Sequence, residues 1–120
     1  MHLFEPGGFD MRNLATALSV AFVGAMTPAH AEGDPDKGKI TARTNCARCH
    51  GIDGNARSTS LRPVPMLAGQ PEAYLLAQMR AFRDGSRTDP TGEAMIGFLA
   101  RLSEQDLEDV AAYFSGQKRY

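Results

Sequence analysis

Cysteine and histidine are scarce in this chain of 120 residues, which holds two cysteines, Cys46 and Cys49, and three histidines, His2, His30 and His50. A structural zinc site needs a closed set of four ligands, usually cysteine and histidine. No such set remains once His2 and His30, at the N-terminal end, are set aside. Strand-like alternation of apolar and polar residues is also missing, which argues against a sheet-based fold. There is no basic excess either, since 13 Lys and Arg face 14 Asp and Glu. A nucleic-acid partner would call for a basic face. The longest apolar stretch, residues 14–26, is too short to span a bilayer. Internal repeats and low-complexity tracts are absent from the sequence.

What is present begins with the ends of the chain. Arg12 precedes the apolar stretch, which closes in Thr27, Pro28 and the Ala29-His30-Ala31 triplet. That is the pattern of a secretory signal peptide, cut between Ala31 and Glu32. Glu5 and Asp10 put negative charge where such a leader is positive, so translation is expected to start at Met11. A buried N-terminal helix and an uncleaved anchor are the competing readings; a lipoprotein anchor would need a cysteine after the apolar run. The expected organisation is a leader over residues 1–31 and one domain over 32–120, with no membrane span once the leader is removed. The 89 residues left carry balanced charge, 12 basic and 12 acidic. A domain this small buries a limited core and usually needs a staple.

The staple is written at Cys46, Cys49 and His50, a CxxCH unit in which His50 is the one histidine of the expected mature chain. This pattern marks covalent attachment of a c-type haem. In a helix these positions, spaced i, i+3 and i+4, share one face. A thioredoxin-like CxxC would follow a strand in a βαβ unit, and residues 37–45 hold no such strand. A disulfide between Cys46 and Cys49 would close a very short loop, stabilise little and leave His50 unexplained. The unit occurs once, so one haem c is expected. Export agrees with it, because the thiols must meet the haem outside the reducing cytoplasm.

The rest of the domain reads as all-α. A first helix is expected from about Pro35 into the motif, thin in apolar residues but with Gly38, Ala42 and Ala47 to admit close contact. Residues 51–70 hold Gly51, Gly54, Gly69, Pro63 and Pro65 and read as a long ordered loop, expected to wrap the His50 side of the haem. Pro71 opens a helix whose stripe is Leu75, Leu76, Met79 and Phe82, stopped at Gly85. Residues 86–93 are polar with an Asp89-Pro90 turn. Ser103 and Asp106 make a capping-box-like start for the last helix, with Leu107, Val110, Ala111 and Phe114 on its stripe and Gly116 at its end.

An iron held by His50 on one side needs a second axial ligand, and thioether sulfur is the usual substitute for histidine. Met66, Met79 and Met95 are available. Met79 lies in a helical stripe, where methionine is more often core filler. Met66 can reach by chain length, while Met95, in what reads as irregular chain before the last helix, is modestly preferred. Arg80, Arg83 and Arg87 read as a solvated helix face or a basic docking patch. Glu104, Asp106, Glu108 and Asp109 suit the start of the last helix. Arg57 and Arg62 are candidates to approach a haem propionate. Tyr74 and Tyr113 read as packing residues.

The segments CARCHG at residues 46–51, PMLAGQ at 65–70, Tyr74 and Leu75, FRDGSR at 82–87, Met95 and LEDVAAYF at 107–114 occur in order. In these the chain resembles the class I c-type cytochromes, specifically a short bacterial group that also occurs as tandem di-haem proteins. The resemblance covers nearly all of residues 35–116 and implies a small cytochrome c fold wrapped around one haem. It implies His50 as proximal ligand, Met95 as distal ligand and the Pro65 carbonyl as acceptor from the other nitrogen of His50, with Pro63 the weaker candidate. It places Gly38 at the crossing of the first and last helices, against Val110 and Tyr113. Relatives often carry an aromatic residue where this chain has Ala42, which predicts a looser crossing. The expected function is a non-enzymatic, monomeric periplasmic electron carrier that docks transiently with redox donors and acceptors. The alternatives are a haem-based sensor of small ligands, if Met95 is labile, and a fixed cytochrome subunit of a periplasmic redox complex.

Overall fold

Helix α1 (Pro35–Asn45) begins at a side-chain cap. Asp34 accepts from the Asp36 and Lys37 amides at 3.0 and 3.3 Å, satisfying two of the donors that a helix start orphans. Pro35 sits in the first turn, where a missing N–H costs nothing. The architecture is that of a computed structural model describing residues 32–120 and Gly24. The leader expected over residues 1–31 otherwise lies outside the described residues.

The helix expected to run from Pro35 through the haem motif is broken at Cys46, which caps α1, and a separate short helix α2 (Ala47–His50) follows. Residues 51–70 form no helix, as expected. Helix α3 (Glu72–Asp84) lies between Pro71 and Gly85. A 3₁₀ turn (Pro90–Gly92) then leads into α4 (Glu93–Leu99). This corrects the expectation of irregular chain around Met95. The start of α4 has no side-chain cap, and seven residues are marginal as an isolated helix. Packing of Met95, Ile96 and Leu99 around Phe82 and Leu107 holds it. Helix α5 (Glu104–Ser115) opens with a complete capping box, Ser103 and Asp106 each accepting from the other's amide at 3.1 and 2.9 Å. The described residues are all-α.

The core lies where α1 crosses α5 and α3 lines their side. Ala42, Leu75, Val110, Ala111, Tyr113 and Phe114 are buried together. The crossing is close, not loose: a Cβ added at Gly38 would collide with the Asp109 carbonyl, and Ala42 is fully buried beside it. A small residue at 42 lets the helices approach. Asp109 is also buried and ties the start of α1 to α5, its carboxylate accepting from the Asp34 amide at 2.7 Å and from Gln105 at 2.8 Å. Part of the acidic start of α5 is thus a structural link.

The arginines of α3 and its end face the protein's own groups. Arg80 and Arg83 both donate to Glu104. Arg87 donates to Asp89 at 2.9 Å and Gln78 at 2.8 Å, with its guanidinium 4.3 Å from the Phe82 ring centre. The docking patch considered for these three is therefore largely neutralised in place. The bonds from Arg80 and then Arg83 hold the Glu104 carboxyl below its usual range. A lowered folded pKa means the pair stabilises fully above the unfolded carboxylate pKa, about 4.3, and fades as pH falls through the folded value. Because Glu104 and Arg80 are each 42% exposed, Glu104→Gln is expected to cost only about 0.5–1 kcal/mol at pH 7. The difference should shrink progressively as the pH is lowered below the unfolded carboxylate pKa, measured by urea unfolding at neutral and acidic pH.

Candidate haem site

The loop after the motif is held in place from three sides. Gly54, at φ +78, packs against the Ala68 amide and the Phe114 ring, where a side chain has no room. Its carbonyl accepts from the Leu67 and Ala68 amides at 2.8 and 3.1 Å. Tyr113 donates its hydroxyl to the Ile52 carbonyl at 2.7 Å, so this packing residue is also a pin. Buried Asn55 donates to the Lys118 carbonyl at 2.8 Å and accepts from the Tyr120 amide at 3.3 Å. Together these bonds fasten residues 51–70 to α5 and the segment after it. The pinning roles of Asp109 and Asn55 leave no pattern in the sequence beyond a polar residue among apolar neighbours.

This anchoring fixes the loop against His50. His50 is 4% exposed, and its Nδ1 lies 3.0 Å from the Pro65 carbonyl oxygen. A carbonyl can only accept, so Nδ1 carries the proton and donates. In the neutral ring Nε2 then keeps its lone pair, and no protein group among the described residues bonds it. Burial lowers the pKa of His50, partly opposed by the Pro65 bond, which keeps the imidazole in the neutral form a metal requires. Pro63 lines the same cleft but accepts nothing from His50.

Cys46, Cys49 and His50 open onto one cleft, whose walls include Leu75, Phe82, Leu99, Val110 and Phe114. Both cysteines are free thiols, and burial pushes the Cys46 thiol up to about 11. The cleft is predominantly apolar and open at its mouth, which suits a flat apolar macrocycle. Met66, Met79 and Met95 all line it. Met66 follows the Pro65 carbonyl directly and so belongs to the His50 wall. Met79 packs into both clusters of the core. Met95 comes from α4, which packs on α3, whereas α2 packs on α1. Tyr74 stands half-exposed at the cleft, and Arg57 and Arg62 line a separate cup instead of the cleft.

Two thiols for thioether links, an imidazole with a free nitrogen, soft sulfur and an apolar lining are the donor set a covalent haem needs. The fold and cleft therefore define a helical domain that carries haem on a CxxCH motif. The family model for cytochrome c matches residues 35–118, and the chain belongs to the cytochrome c family. Within it the chain is a class I c-type cytochrome domain with one covalently bound haem c. It is 49% identical over 90 residues to cytochrome c4 of Pseudomonas aeruginosa, covering 75% of this chain and 41% of that one. A crystal structure of reduced cytochrome c4 from Pseudomonas stutzeri superposes with a TM-score of 0.60 at 44% identity, over 73% of this chain and 47% of that one. This chain thus spans about half the length of these relatives. Cytochrome c-554(548) of Halomonas halodenitrificans is 38% identical over 87 residues, 72% of this chain and 99% of that protein. No helix among the described residues is long and apolar enough to cross a membrane.

Proposed function

We propose that this domain is a periplasmic carrier of single electrons, with its iron held between His50 and Met95 and residues 1–31 serving as the export leader. The observation that carries the reading is the His50–Pro65 bond of 3.0 Å, which assigns the ring proton to Nδ1 and leaves Nε2 for iron. When bound, the haem supplies a ferric/ferrous couple. The Pro65 carbonyl orients the imidazole and raises its basicity as a donor. Met95, on a helix braced against Phe82 and Leu107, supplies soft sulfur that favours the ferrous state. The apolar walls would limit the access of water to an iron held there. With His50 and Met95 both holding the iron no coordination position would be left for a substrate, which favours carriage over catalysis, with transient docking to donors and acceptors.

The ferric spectrum of the holoprotein at neutral pH tests the ligand set. A weak far-red sulfur-to-iron band is expected in the wild type and in Met66→Ala and Met79→Ala, and it should vanish in Met95→Ala. The reduction potential should fall in that variant alone, by on the order of 0.1 V or more. A band that survives in Met95→Ala moves the ligand elsewhere. High-spin ferric iron, with rapid carbon monoxide binding after reduction, would replace the carrier reading with a ligand sensor. Fractionation of cells for holoprotein tests the periplasmic location.

A further inference from the structure

We propose that Arg48, Arg57 and Arg62 form the docking surface for a redox protein whose contact face is rich in carboxylates. The inference rests on the electron-carrier reading and adds the place and chemistry of partner contact. The three arginines line an open cup that shares Cys49 and Val64 with the haem cleft. No Asp or Glu lines that cup, and Leu61, which does, is 96% exposed. All three arginines are exposed. None of their guanidiniums has an ion pair, hydrogen bond or ring contact among the described residues.

Among the domain's other arginines only Arg43, on α1 and outside the cup, is likewise exposed and without a partner among the described residues. Arg80 and Arg83 are spent on Glu104, Arg87 on Asp89 and Phe82, Arg101 lies 5.2 Å from the Phe98 ring centre, and Arg119 donates to the Ala68 carbonyl. Charge over residues 32–120 balances, so the protein as a whole exerts little steering force. A local group of three uncompensated guanidiniums does, and it acts where Cys49 attaches the haem. Guanidinium forks match carboxylates in paired hydrogen bonds. An exposed leucine within a charged rim gives the apolar centre and polar margin of a transient protein interface. A small-anion site would instead enclose its donors, and these are spread on the surface. In the docked pair the ferrous iron loses one electron and the partner's oxidised centre gains it; no bond forms or breaks and no proton moves.

The test uses holoprotein, the triple variant Arg48→Gln/Arg57→Gln/Arg62→Gln and a charge-matched control, Arg80→Gln/Arg83→Gln/Arg87→Gln. Poly-L-glutamate serves as the carboxylate surface, its binding followed by calorimetry at low salt. It should bind the wild type and the control and lose at least tenfold in affinity for the triple variant. Stopped-flow oxidation of the ferrous protein by hexacyanoferrate(III) should slow about tenfold in the triple variant. Oxidation by the tris(phenanthroline)cobalt(III) cation should quicken, and both differences should disappear at high salt. Equal behaviour of the triple variant and wild type overturns the docking surface, as does equal loss in the control. Phosphate binding as tight as poly-L-glutamate would make the cup a small-anion site and overturn it too. So would preferential, arginine-dependent binding to phosphatidylglycerol vesicles. Failure of the wild type to cycle reversibly by one electron sinks the carrier reading itself; normal cycling with unchanged variants sinks only the docking surface. Ferric spectra matching the wild type and cooperative unfolding show that the triple variant and the control are both folded.

Discussion

Gly38→Ala is expected to destabilise the haem-loaded domain by about 1–3 kcal/mol, even though alanine is the better helix former. Two effects of opposite sign compete at this position. Within a helix Ala gains about 1 kcal/mol over Gly. Against that, the new Cβ would collide with the Asp109 carbonyl and crowd the Tyr113 Cβ. Backbone carbonyl and Cβ cannot rotate away, so relief requires α1 and α5 to separate. Separation loosens the packing of Ala42 against Val110, Ala111 and Tyr113 and strains the Asp34–Asp109 bond. Overpacking of this kind costs about 1–3 kcal/mol and occasionally more, and the lost buried hydrogen bond adds about 1 kcal/mol. Gly97→Ala is the matched comparison, since a Cβ there meets nothing within 4 Å. It should be neutral to stabilising, by up to about 1 kcal/mol. Urea unfolding of both holoproteins checks the opposite signs; equal effects would show that the crossing can relax.

The contrast between these glycines also shows what a sequence carries and what it does not. Helices α3 and α5 were legible because proline, glycine and a Ser-x-x-Asp pair punctuate long apolar stripes, and those signals act locally. The break at Cys46 was not. Thr44, Asn45 and Cys46 are weak helix formers, but no glycine or proline marks a stop there, and His50 beyond the break meets a loop that is itself pinned by α5 and the C-terminal segment. Helix α4 was missed because its seven residues have no cap and a glycine near the middle, so only contacts with Phe82 and Leu107 make it helical. The arginines of α3 carried the same ambiguity: residue type shows charge, while partnership with Glu104, more than twenty positions away, is a fact of packing. Of the site, the CxxCH unit was readable from its chemistry. The acceptor at Pro65 was implied by resemblance alone, and the structure has that carbonyl 3.0 Å from His50 Nδ1. The cup of Arg48, Arg57 and Arg62 left no pattern, since the three are separated along the chain and gathered by the fold of the loop.

Replacing both cysteines, Cys46→Ala with Cys49→Ala, is expected to abolish covalent haem attachment completely. The chain contains no other cysteine, so no second thiol can take over either link. Under denaturing conditions the polypeptide should run free of haem, and its mass should be that of the protein alone. The thermodynamic consequence follows from what the haem fills. Leu75, Phe82, Leu99, Val110 and Phe114, drawn from three helices, face one cleft, and a domain of this size has little other core. In the wild type the staple cannot diffuse away on unfolding. In the double variant His50 and the apolar walls can still hold haem, but reversibly, so stability becomes a matter of mass action. The unfolding midpoint should then rise with added haem, whereas that of the wild type should not move. Either single variant keeps one thioether and should stay haem-bound in denaturant, with a smaller loss of stability. A covalent haem mass surviving in the double variant would sink the assignment of both thiols. A midpoint insensitive to added haem would show instead that α1, α3 and α5 form a sufficient core without it.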